Sequence, residues 1–241
     1  MDGKVFDRIE KKYLITQTDK KEVLKAIKKN MEKDGYHKSE VYNIYFDNDN
    51  FDLIVQSIDQ PVFKHKLRAR SYKGYDRVFL EIKTKMRGKD LNPGYKRRVM
   101  ITNDDYNQLV KKKATVEELA KKSIETSRDI QIAREIDYYI NHFKLKPKMM
   151  TIYNRESYKG EDSLRITFDE NLKYREKNLR FNKSKHDKMY FKDKHNIIME
   201  VKAHGVLPLW LTKTLSKRNL YPQQFSKIGK SYQQIRKEKN V

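Results

Sequence analysis

The sequence predicts an α+β fold: a closed antiparallel eight-stranded β-barrel with helices packed outside. Three observations predict it. Strand-like segments recur along the chain between turn residues, helical stripes interrupt them, and five strands are apolar on one face and charged on the other. Side chains alternate across a strand with period two, so such a strand presents one row of charge and one of oil. If helices cover the apolar face, the charged face turns toward the middle. Eight strands closing on themselves leave an interior just wide enough for side chains or a slender ligand. A lumen lined by Lys and Arg needs counter-charge, so the expected guest is a linear polyanion.

Strand signals lie at residues 7–16, 38–47, 63–73, 77–85, 95–101, 147–158, 162–169 and 196–204, with a weaker one at 188–191. In the third, Lys64, Lys66, Arg68 and Arg70 oppose Leu67 and Ala69. In the fourth, Arg77, Phe79, Glu81, Lys83 and Lys85 oppose Val78, Leu80 and Ile82, and in the fifth Lys96 and Arg98 share a face. Arg165 and Asp169 oppose Leu164, Ile166 and Phe168, while Glu200 and Lys202 oppose Ile197, Met199 and Val201. Lys73-Gly74-Tyr75-Asp76, Asn92-Pro93-Gly94 and Lys159-Gly160-Glu161-Asp162 read as turns, the first and last joining antiparallel hairpins.

Thr18 or Asp19 is expected to cap a helix with the stripe Val23, Leu24, Ile27 and Met31. Thr102 opens a second helix, residues 126–143 a third with Ile132, Ile136, Tyr139, Ile140 and Phe143, and residues 208–218 a fourth. These stripes read as core contacts. Lys20, Lys21, Lys25, Lys28, Lys29 and Lys111 to Lys113 read equally as solvated helix faces or as part of the charge that favours a polyanionic partner.

The 241 residues carry no linker and no repeat, which predicts one domain over 1–241. Sixteen Tyr and ten Phe supply core surface although hydrophobic residues are 37%. No cysteine is present, which excludes disulfides and Cys-based metal sites and suits a reducing cytoplasm. No apolar run approaches the ~20 residues of a membrane span, and the polar start is no signal peptide, so a soluble cytoplasmic chain is expected. The net charge of +22 favours polyanions: nucleic acid, phosphate-rich molecules or an anionic membrane surface. Nucleic-acid readers interleave aromatics with cations. Here Phe79 and Tyr153, beside Arg155, are the exceptions on the charged strands, so no specific nucleic acid is expected.

The ordered series Glu10-Lys-Lys12-Tyr13, Tyr45-Phe46-Asp47, Lys66-Leu-Arg68-Ala-Arg70, Glu81-Ile-Lys83-Thr84, Lys96-Arg-Arg98, Tyr153-Asn-Arg155, Leu164-Arg165-Ile-Thr-Phe-Asp169, Met199-Glu200-Val-Lys202 and Phe225-Ser226-Lys227 resembles the VTC domain. This is the catalytic domain of the vacuolar transporter chaperone complex and its bacterial relatives, within the triphosphate tunnel metalloenzyme (CYTH-like) superfamily. Each motif alone is weak; nine in order span residues 10 to 227.

The resemblance implies a β-tunnel binding ATP and inorganic polyphosphate with Mn²⁺ or Mg²⁺, and transfer of the ATP γ-phosphate to a growing polyphosphate chain. It implies phosphate-binding roles for Lys12, Arg68, Arg70, Lys83, Lys96, Arg155, Arg165 and Lys227, further substrate contacts at Tyr153 and Ser226, and metal binding by Glu200. Lys66, Arg98 and Lys202 share the charged faces and join the expected substrate contacts. Glu81 and Glu10 read as charge partners that space the cations. Arg68 and Arg70, two apart on one face, can grip adjacent phosphates with their guanidinium forks.

The chain also departs from related patterns. Superfamily hydrolases begin Glu-x-Glu-x-Lys, and the first glutamate position is Arg8 here. An arginine that eukaryotic VTC catalytic domains carry before Arg68 corresponds to Ser57 or Gln56. Neither an SPX domain nor the membrane helices of the eukaryotic complex are expected in this sequence; a membrane-protein partner and the oligomeric state stay open. His65 and His204 read as structural, no Ser-His-Asp set is visible, and Ser226-Lys-Ile-Gly-Lys230 lacks P-loop spacing. Two other readings remain: a triphosphate or polyphosphate hydrolase using the same tunnel, and a non-enzymatic polyanion-binding module.

Overall fold

The computed structural model describes residues 8–59, 62–86, 94–123, 126–190 and 196–239. The strands are β1 (Arg8–Ile15), β2 (Glu32–Asp47), β3 (Phe63–Tyr72), β4 (Val78–Met86), β5 (Gly94–Ile101), β6 (Lys146–Lys159), β7 (Arg165–Arg175), β8 (Lys188–Met189) and β9 (Ile197–His204). The helices are α1 (Gln17–Asn30), α2 (Asp52–Asp59), α3 (Asn103–Val110), α4 (Val116–Ser123), α5 (Ser127–His142), α6 (Leu209–Lys217) and α7 (Lys227–Lys239).

The strands hydrogen-bond in the order β1-β9-β7-β6-β2-β3-β4-β5, with β8 on β7. The expected closure into a barrel is not made: among the described residues β1 and β5 remain edges. The free edge of β1 is instead met by the extended segment after α6, where the Gln223 N–H donates to the Lys12 carbonyl at 2.7 Å. At the other edge, residues 94–98 of β5 are five consecutive exposed positions that include Lys96, Arg97 and Arg98, a charged edge of the kind that discourages further pairing. The Asn92-Pro93 part of the predicted turn before β5 and Phe191 of the weak strand lie outside the described residues.

The chain packs as two compact units. Among the described residues, the first comprises those within 8–40, 153–173 and 189–225, and the second those within 41–152, 174–188 and 226–239. The core of the first joins Tyr13, Ile15, Ile166, Phe168, Met199 and Val201 of the strands to Val23 and Ile27 of α1 and Leu211 and Leu215 of α6. Thr16, not Thr18 or Asp19, is the N-cap of α1; its hydroxyl accepts from the Asp19 N–H while Asp19 answers the Thr16 N–H, a reciprocal capping box. Lys20 is buried against the Phe168 ring, 5.3 Å from its centroid, which corrects its reading as a solvated lysine. Its ammonium donates to Glu156 at 2.7 Å and Glu170 at 2.5 Å.

The second core joins Leu67, Ala69, Leu80, Ile82, Val99 and Ile101 to Tyr106 of α3, Leu119 of α4 and Ile132, Ile136 and Tyr139 of α5. Thr102 and Thr126 cap α3 and α5 as their positions predict. His65 is buried with Tyr139 Oη at 2.8 Å and Thr84 Oγ1 at 3.2 Å, and burial pushes its pKa down, so it is a neutral core histidine. The β3–β4 turn needs Gly74, whose φ is +81°. Gly229 of α7 faces Ile58 of α2, where a Cβ would come within 3.1 Å of Cγ1.

Asp47 ends β2 and starts α2. Its carboxylate is fully buried and accepts from the N–H groups of Asn48 (2.8 Å), Leu53 (3.1 Å) and Ile54 (2.8 Å). The helix N-terminus thereby receives the acceptor its orphan donors need. Replacing Asp47 by Ala should destabilise the protein by about 1–3 kcal/mol in urea unfolding; a change below about 0.5 kcal/mol would show that the cap is dispensable.

Candidate functional site

In the second unit, cross-strand register collects the charged side chains. Arg68 stands opposite Glu81 and Glu81 opposite Arg98; Lys66, Lys83 and Lys96 form the next rung, and Arg70, Phe79 and Met100 the one on the other side. On strands β3 to β5 this face holds Lys64, Lys66, Arg68, Arg70, Lys83, Lys85, Lys96 and Arg98, with one carboxylate, Glu81. Alternation sends Leu67, Ala69, Leu80 and Ile82 into the core, so the apolar row fixes the basic row.

Glu81 is 2% exposed. It accepts from Arg68 Nε at 2.6 Å and pairs with Lys96. Burial alone would raise its pKa, but the charges of Arg68, Arg70 and Lys96 override burial and hold it at about 2. Although the Lys96 side chain is partly open to solvent, its ammonium is desolvated where it meets Glu81, and this first, then repulsion from Arg68 and Arg70, lowers its pKa against the pull of Glu81. Arg70 donates from Nε to Asn43 Oδ1 at 2.8 Å, and the Arg98 guanidinium lies 4.9 Å from the Phe79 ring centroid. Each of the two central arginines thus has an acceptor on Nε that orients its fork.

The first unit carries the other predicted residues. Glu10, Lys202 and Arg165 share one rung, and Lys12, Glu200 and Thr167 the next. Lys202 Nζ lies 2.6 Å from Glu200 and 3.6 Å from Glu10, and Lys12 Nζ reaches Glu10 at 3.4 Å and the Phe225 carbonyl at 3.1 Å. Arg165 pairs with Asp34 at 2.8 Å. Arg155 clasps Asp169 through Nε at 2.7 Å and a terminal amino group at 2.8 Å, and lies 5.2 Å from the Tyr153 ring centroid. Burial opposes its charge; Tyr153, Asp169 and the nearby Glu200 more than restore it, leaving its pKa well above the usual arginine value.

Asp169 is fully buried and is the anchor of Arg155, a role the sequence reading did not assign. Asp34, the partner of Arg165, was likewise missed. Ser226 Oγ accepts from the Gly229 N–H at 3.2 Å at the start of α7, so its hydroxyl serves the helix end, with Lys227 next to it in the first turn. Ser57 lies buried on α2 and Gln56 is exposed there; neither supplies a guanidinium.

Among the described residues no group of three or more His, Asp or Glu side chains is poised around a metal position. Glu200 and Glu10 do share Lys202, and Thr167 Oγ1, across from Glu200, is buried with no partner among the described residues. Such oxygen donors fit a hard divalent cation that takes its other ligands from phosphate and water, not a closed protein cage.

With this geometry in hand, the relationships of the chain are clear. It matches the VTC domain over residues 7–236 and belongs to that family. It is similar to vacuolar transporter chaperone complex subunit 4 of Schizosaccharomyces pombe, 26% identical over 144 residues, 55% of this chain and 20% of that protein. The chain therefore spans about a fifth of the curated relative. Its fold is that of a putative adenylyl cyclase from Hippeastrum described as having a dominant triphosphatase activity, with TM-score 0.52 at 14% identity over 91% of this chain and 92% of the other. A putative adenylate cyclase from Vibrio parahaemolyticus aligns at TM-score 0.46 and 10% identity over 92% and 94%. No helix among the described residues is long and apolar enough to cross a membrane.

The depressed Glu81 pKa makes a stability prediction. A carboxylate lowered from 4.5 to about 2 contributes stability present above pH 4.5 and lost as pH falls toward 2. The shift corresponds to roughly 3 kcal/mol at most. Glu81→Gln should be less stable than wild type at pH 7, and its chemical-denaturation midpoint should vary less between pH 4.5 and 2. Equal pH profiles for the two proteins would refute the charge pairing.

Proposed function

We propose that this protein is an ATP-dependent polyphosphate polymerase that transfers the γ-phosphate of ATP to a growing polyphosphate chain. The observation that carries this reading is the face of strands β3 to β5, where eight basic residues surround one buried carboxylate. Phosphoryl transfer between phosphoanhydrides asks for in-line placement and positive charge over the equatorial oxygens, with little covalent work by the protein. Arg68 and Arg70, each oriented through Nε, offer planar forks to adjacent phosphates, while Lys66, Lys83 and Lys96 add point charges. Family membership supports an enzyme acting on phosphates.

In the first unit, Arg155, held by Asp169 with Tyr153 beside it, and Arg165, Lys12 and Lys202 are further phosphate ligands in this reading; in the second unit Lys227, in the first turn of α7, is another. Glu200, assisted by Glu10, would hold Mn²⁺ or Mg²⁺, which when bound neutralises phosphate charge.

Purified protein incubated with ATP and Mn²⁺ should produce long polyphosphate chains, resolved on a gel. Arg68→Ala and Arg165→Ala should each reduce turnover by at least a hundredfold, about 3 kcal/mol; Arg165→Ala should leave the thermal unfolding profile unchanged, while Arg68→Ala, which takes a partner from buried Glu81, should lower Tm yet remain folded. Release of free phosphate without polymer would instead identify a hydrolase, and full activity in either variant would sink the site assignment.

A further inference from the structure

Two buried polar atoms on the charged face of the second unit have no partner among the described residues: Nδ2 of Asn43 and Oγ1 of Thr151. Asn43 is 1% exposed and Thr151 3%. Both belong to the face that carries the arginines. Tyr42, Ile44 and Phe46 of β2 enter the apolar core, as do Met150 and Ile152 of β6, so alternation turns Asn43 and Thr151 to the other side. β2 and β6 are neighbours in the sheet, which sets the two residues on adjoining strands. Asn43 is also the register partner of Arg70, and its Oδ1 accepts from Arg70 Nε at 2.8 Å. An arginine can only donate, so the amide must turn its oxygen to Arg70 and keep Nδ2 as a donor for something else.

A buried donor and a buried hydroxyl left unbonded each lower stability, and buried polar groups normally find partners. We propose that Asn43 Nδ2 and Thr151 Oγ1 form a neutral hydrogen-bonding subsite beside Arg70 that takes a non-bridging oxygen of a phosphoanhydride chain. This rests on the phosphate-binding reading above and adds a directional element to it. Phosphate oxygens accept only, which suits an amide N–H and a hydroxyl that rotates to donate. Neutral donors restrain the chain without burying another charge among Arg68, Arg70 and Lys96.

Calorimetric titration with inorganic tripolyphosphate tests the subsite. Thr151→Val keeps the side-chain shape and leaves the Arg70–Asn43 bond alone; without ligand its Tm should equal or exceed that of wild type, while affinity falls about fivefold. Asn43 is tested on an Arg70→Ala background, where adding Asn43→Leu should weaken binding by about a further fivefold. If Asn43 acted only by holding Arg70, the double variant would bind like Arg70→Ala. Wild-type affinity in Thr151→Val, or equality of the double variant with Arg70→Ala, overturns the paired subsite. An Arg70→Ala protein that binds tripolyphosphate like wild type overturns the phosphate-binding reading as well.

Discussion

Glu81 stays ionised though almost inaccessible, because Arg68, Arg70 and Lys96 surround it, and those cations in turn tolerate their crowding because Glu81 stands among them. The balance is unequal. One carboxylate cannot neutralise the eight basic residues on this face of β3, β4 and β5. A surface built this way holds a standing excess of positive charge that a polyanion relieves.

The same strands do two jobs because the pleat separates them. Leu67, Leu80, Ile82 and Val99 pack against α3, α4 and α5, so the fold draws its hydrophobic stabilisation from one side of the sheet. The other side is released from packing duty and can carry charge. In the first unit the same division sets Ile166, Phe168, Met199 and Val201 against α1 and α6 while Arg165, Glu200 and Lys202 take the opposite face. Asp169 shows how firmly Arg155 is held: both of its carboxylate oxygens accept from that guanidinium.

What the sequence made legible follows this physics. Alternation announced β3, β4, β7 and β9 and the basic rows with them, because a two-faced strand writes its pattern into consecutive letters. Residues 32–37 at the start of β2 are polar without alternation, so that strand read six residues too short. Helix α7 was missed because Gly229 and Ser231, buried small residues, help fill its packing face and leave only Ile228 and Ile235 as an apolar signal. Pairings that depend on distant strands were invisible: Lys20 meets carboxylates 136 and 150 positions away, and Asp34 finds Arg165 across the first unit. Barrel closure failed as an inference because strand count says nothing about what occupies an edge, and Gln223 reaches the edge of β1.

The most direct measurement of the central claim is thermal unfolding with and without tripolyphosphate at constant ionic strength. A ligand that completes the basic faces should raise Tm with the logarithm of its concentration, with about 2.7 kcal/mol of added stability at a hundred times Kd. An unchanged Tm, or a rise reproduced by the same ionic strength of sodium chloride, would contradict the account.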